Sequence, residues 1–251
     1  MVQAFRHQGI LIPILSSGRG WMAVEKPAGL SVHNDPLLDL VSIVTSQIKR
    51  HPSLSERIAR GRRTVFRPVH RLDKLTSGVI LLACDAAALK YLGDQFQLRD
   101  TDKRYLALLH GCFSRVGETG AWKRPLSQQA GGRDRPAGTG PKKASLTRYR
   151  VLAHSPHYTY LECRPVTGRK HQIRRHAKLA GHPVVGDRRY GSKRAADFLT
   201  FRKGFSRLGL HANTLKIREP WKEQTVRIRS VGLPPEMEKL FREDRFDGKR
   251  P

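Results

Sequence analysis

One carboxylate stands among cations in His70-Arg71-Leu72-Asp73-Lys74-Leu75-Thr76-Ser77-Gly78, and an apolar run, Val79 to Ala83, follows at once. Thr, Ser and Gly punctuate the first segment as a loop. The run behind it reads as a buried strand that gives the loop a rigid support. Arg71 and Lys74 help to keep Asp73 charged. An ionised aspartate displayed at the end of a sheet is how a nucleophile or a base is presented. The same residues would also suit an exposed ion pair on a turn, which is worth little. Local sequence leaves both readings open.

A second segment, Thr167-Gly168-Arg169-Lys170-His171-Gln172-Ile173-Arg174-Arg175-His176, is denser in charge. Helical spacing puts Lys170, Arg174 and Lys178 on one stripe, where like charges repel by about a few tenths of a kcal/mol per pair. Cations at a helix start also oppose its dipole. A polyanion or a buried carboxylate is needed to offset them; otherwise the stripe is a solvated basic face. His171, His176 and His182 are five and six residues apart. Two metal ligands on one helix face need a spacing of about four, so no metal is expected. Asp187, in the turn-rich stretch Gly181 to Gly191, could be a second acid, but a turn-capping role is favoured. Phosphate-loop, dinucleotide, nucleophile-elbow and deaminase signatures are absent, so no cofactor is expected.

The charge balance says what the chain meets. Its 251 residues carry a net charge of +27, which solubility does not require and a nucleic acid would explain. Between Gly131 and Arg207 there are 19 Lys or Arg against 4 Asp or Glu, so a phosphate-facing surface is expected there. No apolar run reaches membrane-spanning length, and the longest near the N-terminus, Ile10 to Leu15, is interrupted by Pro13. The three cysteines, Cys84, Cys112 and Cys163, form no C-x-x-C pair, which fits a reducing cytoplasm.

These segments must be held by a scaffold. The pattern predicts strands at Trp21–Glu25, Val79–Cys84, Tyr105–Leu109, Leu146–Ala153, Tyr158–Cys163, Leu208–Ile217 and Gln224–Ile228. A further strand should follow the turn Lys26–His33. Helices are predicted at Leu38–Ile48, at 86–98 behind an Asp85 cap, at Arg169–Ala180 and at Pro235–Phe241. Gly61–Pro68 reads as a basic loop, and Gly131–Lys143 as a mobile loop or a long hairpin tip. Strands outnumber helices and do not alternate with them. An α+β fold with a mixed, largely antiparallel sheet core and flanking helices is expected.

Taken together the motifs resemble the RluA family of RNA pseudouridine synthases, over about Trp21 to Ile228. His70-Arg71-Leu72-Asp73-x-x-Thr76-Ser77-Gly78 is similar to the family signature, with Asp73 at its catalytic aspartate. Lys26-Pro27-x-Gly29-Leu30, Lys103-x-Tyr105-x-Ala107, Gly168-Arg169-x-His171-Gln172-Ile173-Arg174-x-His176, Gly181-x-Pro183-x-x-Gly186-Asp187-x-x-Tyr190-Gly191 and Leu210-His211-Ala212 follow in the family's order.

The resemblance implies a cofactor-free, metal-free isomerase that converts uridine to pseudouridine in tRNA or rRNA. Asp73 would attack ribose C1′ or uracil C6. Arg174 would pair with Asp73, and Tyr105 would lie against the uracil and help remove the C5 proton. Ile173 would pack on the other side of the base, and Arg71 would fill the space of the flipped-out base. Lys26, Arg169, His171 and Gln172 would bind substrate. Cations of 169–178 and of the 131–143 loop would hold phosphates, with that loop ordering on binding. A single catalytic domain over 1–251 with short terminal extensions is expected, acting as a cytoplasmic monomer. About twenty residues precede the first motif, too few for the S4 RNA-binding domain of many relatives. Spelling and length lean toward the TruC-like, tRNA-modifying branch. The competing expectations are a non-catalytic RNA-binding or ribosome-assembly protein and a base-excising glycosylase.

Overall fold

A computed structural model of the protein describes residues 3–33, 35, 38–60, 64–222 and 224–245. The chain divides into two compact units, Met1–Lys103 with Ala212–Gly232, and Arg104–His211 with Leu233–Pro251. The first unit opens with β1 (Ala4–His7), β2 (Ile10–Gly18) and β3 (Trp21–Lys26). The helices α1 (Leu40–Ile48) and α2 (Pro52–Ala59) follow, then β4 (Arg67–Pro68), β5 (Ser77–Ala83) and α3 (Ala86–Gln97). β6 (Asp102–His110) leads into the second unit, with β7 (Thr119–Trp122), β8 (Leu126–Ser127), β9 (Lys142–Lys143), β10 (Thr147–His154) and β11 (Tyr158–Pro165). That unit continues with α4 (Gln172–Leu179) and α5 (Lys193–Lys203). β12 (Leu210–Arg218) and β13 (Thr225–Arg229) return the chain to the first unit, and α6 (Pro235–Arg242) closes the second.

In the first unit β1, β2, β3 and β5 pair antiparallel in that order, with β12 next to β5 and β13 antiparallel on β12. Every residue of β3 and β5 is buried. That is why both read as nearly continuous apolar runs rather than alternating ones. Trp21, Ala23, Val79, Leu81, Leu215 and Ile217 pack with Leu92 of α3. The carboxylate of Asp85 caps α3 by accepting from the amides of Ala87 and Ala88 at 2.9 and 3.0 Å.

In the second unit β6, β11, β10 and β7 pair antiparallel in that order, and β8 with β9 forms a separate short hairpin. Ala107 and Leu109 of β6, Val151 of β10 and Leu161 of β11 form a core with Ile173 and Ala177 of α4. On the other side Leu108, Tyr160, Leu199 and Phe205 pack with Met237 and Leu240 of α6.

The α+β class with an antiparallel sheet core and flanking helices is therefore as the pattern predicts. Several elements differ. Residues 4–18 form two strands, β1 paired antiparallel with β2 and β2 with β3 across a register shift between Ile14 and Ser16, with Pro13 inside β2. Pro13 lacks the N–H that a central strand would need, which hid the strand. Among the described residues between β3 and α1 there is no second strand, and α1 starts at Leu40 behind an Asp39 cap. Residues 61–63 of the basic loop lie outside the described residues, and its end forms β4. α4 starts at Gln172, three residues later than expected, because His171 adopts a left-handed conformation (φ 55°). The 131–143 segment is a hairpin tip, closed at its base by β8 and β9.

Candidate active site

Asp73 sits half-buried on the loop that leads into β5. Three tethers fix that loop, all within the first unit. His70 is the first. Its ring stacks on Phe96 of α3 (centroids 4.6 Å apart, 16° between planes), and its Nε2 accepts the Leu81 amide at 3.1 Å. Burial, with Lys103 nearby as the next cause, pushes the His70 pKa down to about 3. The ring is therefore neutral, as an acceptor nitrogen requires. Lys26, fully buried at the end of β3, is the second. Its ammonium donates to the carbonyls of Pro27, Leu30 and Lys74 at 2.9, 2.7 and 2.9 Å. The third is backbone: the Gly29 amide donates to the Lys74 carbonyl and the Thr76 amide to the Asp73 carbonyl. Arg71 and Lys74 are exposed on either side of the aspartate.

Gly78 explains why two distant motifs occur together. Its φ is +111°, and a Cβ there would meet the Ala212 carbonyl oxygen at 2.2 Å. Glycine lets β12 approach β5 this closely. The register also sets Gly78 opposite Lys26. The Lys-Pro motif, the Asp73 motif and the Leu-His-Ala motif are thus one structural junction.

The second unit carries the other candidates. Tyr105 on β6 lies opposite Cys163 of β11 and packs on the same apolar cluster as Ile173. Arg174 on α4 is 4% exposed. Its Nε and Nη2 form a fork on Asp187, at 2.7 and 2.8 Å, and its guanidinium lies over the Tyr190 ring. Asp187 also accepts the amides of Arg189 and Tyr190 at 3.0 and 3.1 Å. It is both the turn cap that the sequence suggests and the buried carboxylate that the basic stripe needs.

Gln172 uses both ends of its amide inside the protein. Oε1 accepts from Thr167 Oγ1 and the Arg169 amide, and Nε2 donates to the Leu146 carbonyl and to Thr147 Oγ1. His171 Nδ1 meets the Tyr190 hydroxyl at 2.8 Å, and Arg169 donates to the Ala144 carbonyl. Lys26 and Gln172, expected to bind substrate, are therefore placed as braces. Ile173 is part of the core as well as a candidate wall of the site.

The three histidines of the possible metal set go separate ways. His171 meets Tyr190, His176 lies between Thr147 Oγ1 and the Arg124 carbonyl, and His182 donates to the His110 carbonyl. Among the described residues no group of three His, Cys, Asp or Glu could hold a metal ion. Sequence reasoning passed over Arg175, the fully buried neighbour of Arg174. It looked like one more cation in a basic run, and only burial distinguishes it.

Known proteins resemble the chain over most of its length. The family model for RNA pseudouridylate synthase matches residues 20–179. The chain is 33% identical over 249 residues to the ribosomal large subunit pseudouridine synthase D of Xanthomonas campestris, covering 97% of this chain and 72% of that one. It is 31% identical to the tRNA pseudouridine synthase C of Haemophilus ducreyi, covering 88% of this chain and 90% of that one. The solved human RNA pseudouridylate synthase domain containing 1 superposes with a TM-score of 0.68 at 26% identity, covering 88% of this chain and 83% of that one.

Proposed function

This chain belongs to the RNA pseudouridylate synthase family, and on that premise we propose that it converts particular uridines of tRNA or ribosomal RNA to pseudouridine, with Asp73 as the nucleophile. The reaction is an isomerisation. The N1–C1′ bond breaks, the C5–C1′ bond forms, and a proton leaves C5 while one is gained at N1. No atom is added, so the protein has to supply only a nucleophile, a proton path and a fixed geometry.

The observation that carries the reading is the way the Asp73 loop is held. A neutral histidine, a buried ammonium and two backbone hydrogen bonds fix a half-buried carboxylate between exposed cations. A surface ion pair would need none of this support. Arg174, itself oriented by Asp187, balances the carboxylate of Asp73 during the reaction. Tyr105 flanks the uracil and takes part in removing the C5 proton, and Ile173 closes the apolar side. Arg71 enters the RNA where the base leaves its stack. Arg169 and His171 meet the substrate backbone, whereas Lys26 and Gln172 act by positioning. Both units act as one catalytic domain, in a cytoplasmic monomer. Between the two RNA classes, the Gly-Arg-Lys-His-Gln-Ile-Arg-Arg-His spelling favours tRNA.

The test is pseudouridine formation by the purified protein on unmodified tRNA and ribosomal RNA transcripts. The wild type should form it at one or a few positions. Asp73→Asn should keep RNA affinity and thermal stability while the rate falls by at least about 10⁴-fold, as expected when a nucleophile is lost. An active Asp73→Asn protein would refute the mechanism. Release of free uracil would make the chain a glycosylase instead.

A further inference from the structure

Beyond the reacting groups lies another buried cation held among carbonyl oxygens. Arg175 on α4 is fully buried. Its partners among the described residues are carbonyl oxygens: Pro136 from Nε at 2.6 Å, Ser127 and Lys170 from Nη1 at 2.9 and 3.1 Å, and Ala137 from Nη2 at 2.6 Å. Three of these four belong to the 127–142 hairpin tip. From the outer side Arg189 takes two more of the tip's carbonyls, Ala130 at 2.7 Å and Gly131 at 3.4 Å. Ser127 Oγ takes that of Gln129 at 3.0 Å. Glycines make the fit possible. Gly138 has φ +79°, and a Cβ there would meet the Gln129 carbonyl oxygen at 2.2 Å and Arg175 Nη2 at 2.9 Å.

Burying a guanidinium without a carboxylate is costly, and here only carbonyl dipoles offset it. The cost is justified if the shape of the tip matters. Carbonyls turned onto Arg175, Arg189 and Ser127 fix the backbone path of the tip. Exposed around it are Lys123, Arg124, Arg133, Arg135, Lys142 and Lys143, with Asp134 the one acid between. Cations gathered on a fixed backbone are an anion site.

We propose that Arg175 is a positioning residue that presets the 127–142 tip as an RNA phosphate-docking element before RNA arrives. This rests on the RNA-modifying reading and replaces the expectation that the segment is mobile and orders on binding. It also gives α4 two adjacent tasks: Arg174 faces Asp187 and the chemistry, while Arg175 shapes the docking element.

The experiment compares wild type with Arg175→Met, which keeps length but not charge, Arg175→Lys, and Gly138→Ala, which disturbs the tip from outside the helix. Three quantities are read: trypsin cleavage after Arg133, affinity for unmodified tRNA and ribosomal RNA transcripts across a potassium chloride series, and the single-turnover rate at saturating RNA. Arg175→Met and Gly138→Ala should be cut at least about tenfold faster in the tip, because cleavage follows the open population. Their KM should rise about tenfold or more, with a shallower salt slope and a saturating rate within about threefold of wild type. Arg175→Lys should rescue little, since an ammonium cannot fork to carbonyls on both sides. Unchanged cleavage and KM in Arg175→Met would overturn the proposal, and so would loss of saturating rate at constant KM. Should Arg175→Met not fold, Gly138→Ala decides by the same criteria. If the wild type forms no pseudouridine on any transcript, the catalytic reading fails, while cleavage and RNA affinity still judge the role of Arg175.

Discussion

An ammonium group removed from water must be given oxygens, and Lys26 shows what that requirement can do for a catalytic loop. It donates to the carbonyls of Pro27, Leu30 and Lys74, so one side chain ties the turn after β3 to the residue next to Asp73. Sequence could show the lysine but not its direction. A Lys-Pro pair beside a basic loop reads equally well as a phosphate contact. Burial decides for the brace. Lys26→Met should leave three carbonyls short of a donor and destabilise the protein by about 3 kcal/mol, at about 1 kcal/mol or more per orphaned group. Because the loop rather than the RNA surface is loosened, the saturating rate should fall more than KM rises. A urea titration with steady-state kinetics checks both. A large KM effect at normal rate would return Lys26 to the substrate surface.

At the scale of elements, the strands that flank Asp73 were legible because both of their faces are covered, so apolar residues run on without alternation. The Asp85 cap announced α3 for an equally local reason. What stayed hidden was whatever depends on a partner far along the chain. β2 is a strand because β3 offers it an edge, and β1 because β2 does so in turn; nothing local overrides Pro13. The 127–142 tip has little periodicity of its own, and its order comes from Arg175 and Arg189. α5 escaped because its apolar positions do not line one face, and Phe198 and Phe201 are exposed. Gly78 is the sharpest case. The sequence marks it as part of a motif, and only the approach of β12 explains why it must be glycine. Gly78→Ala combines a strained backbone with an impossible contact, each worth about 1–3 kcal/mol. A loss of about 2–6 kcal/mol is expected in chemical denaturation, with RNA-dependent activity falling in parallel. A neutral substitution would mean that β5 and β12 can separate at that point without cost.

For the whole molecule, the histidines set how the fold answers to acid. Burial lowers the pKa of His70 to about 3 and that of His211 to about 4, with Lys103 and Arg207 as second causes. Burial also lowers His110 and His176, the latter against the opposing hydrogen bond to the Arg124 carbonyl. In the unfolded chain these rings take up protons near their ordinary value of 6.5. Between that value and their folded values the unfolded state binds more protons, so stability rises with pH there and is lost on acidification. The loss should therefore begin below about pH 6.5 and continue to about pH 3, joined at its acid end by the carboxylates of Asp244 and Glu118, whose pKa values lie below the usual range. The urea midpoint, followed from about pH 7.5 to about pH 5, should therefore fall as the unfolded chain takes up protons on these rings. A midpoint that holds steady over this range would mean that the neutral histidines do not carry the pH dependence of the fold.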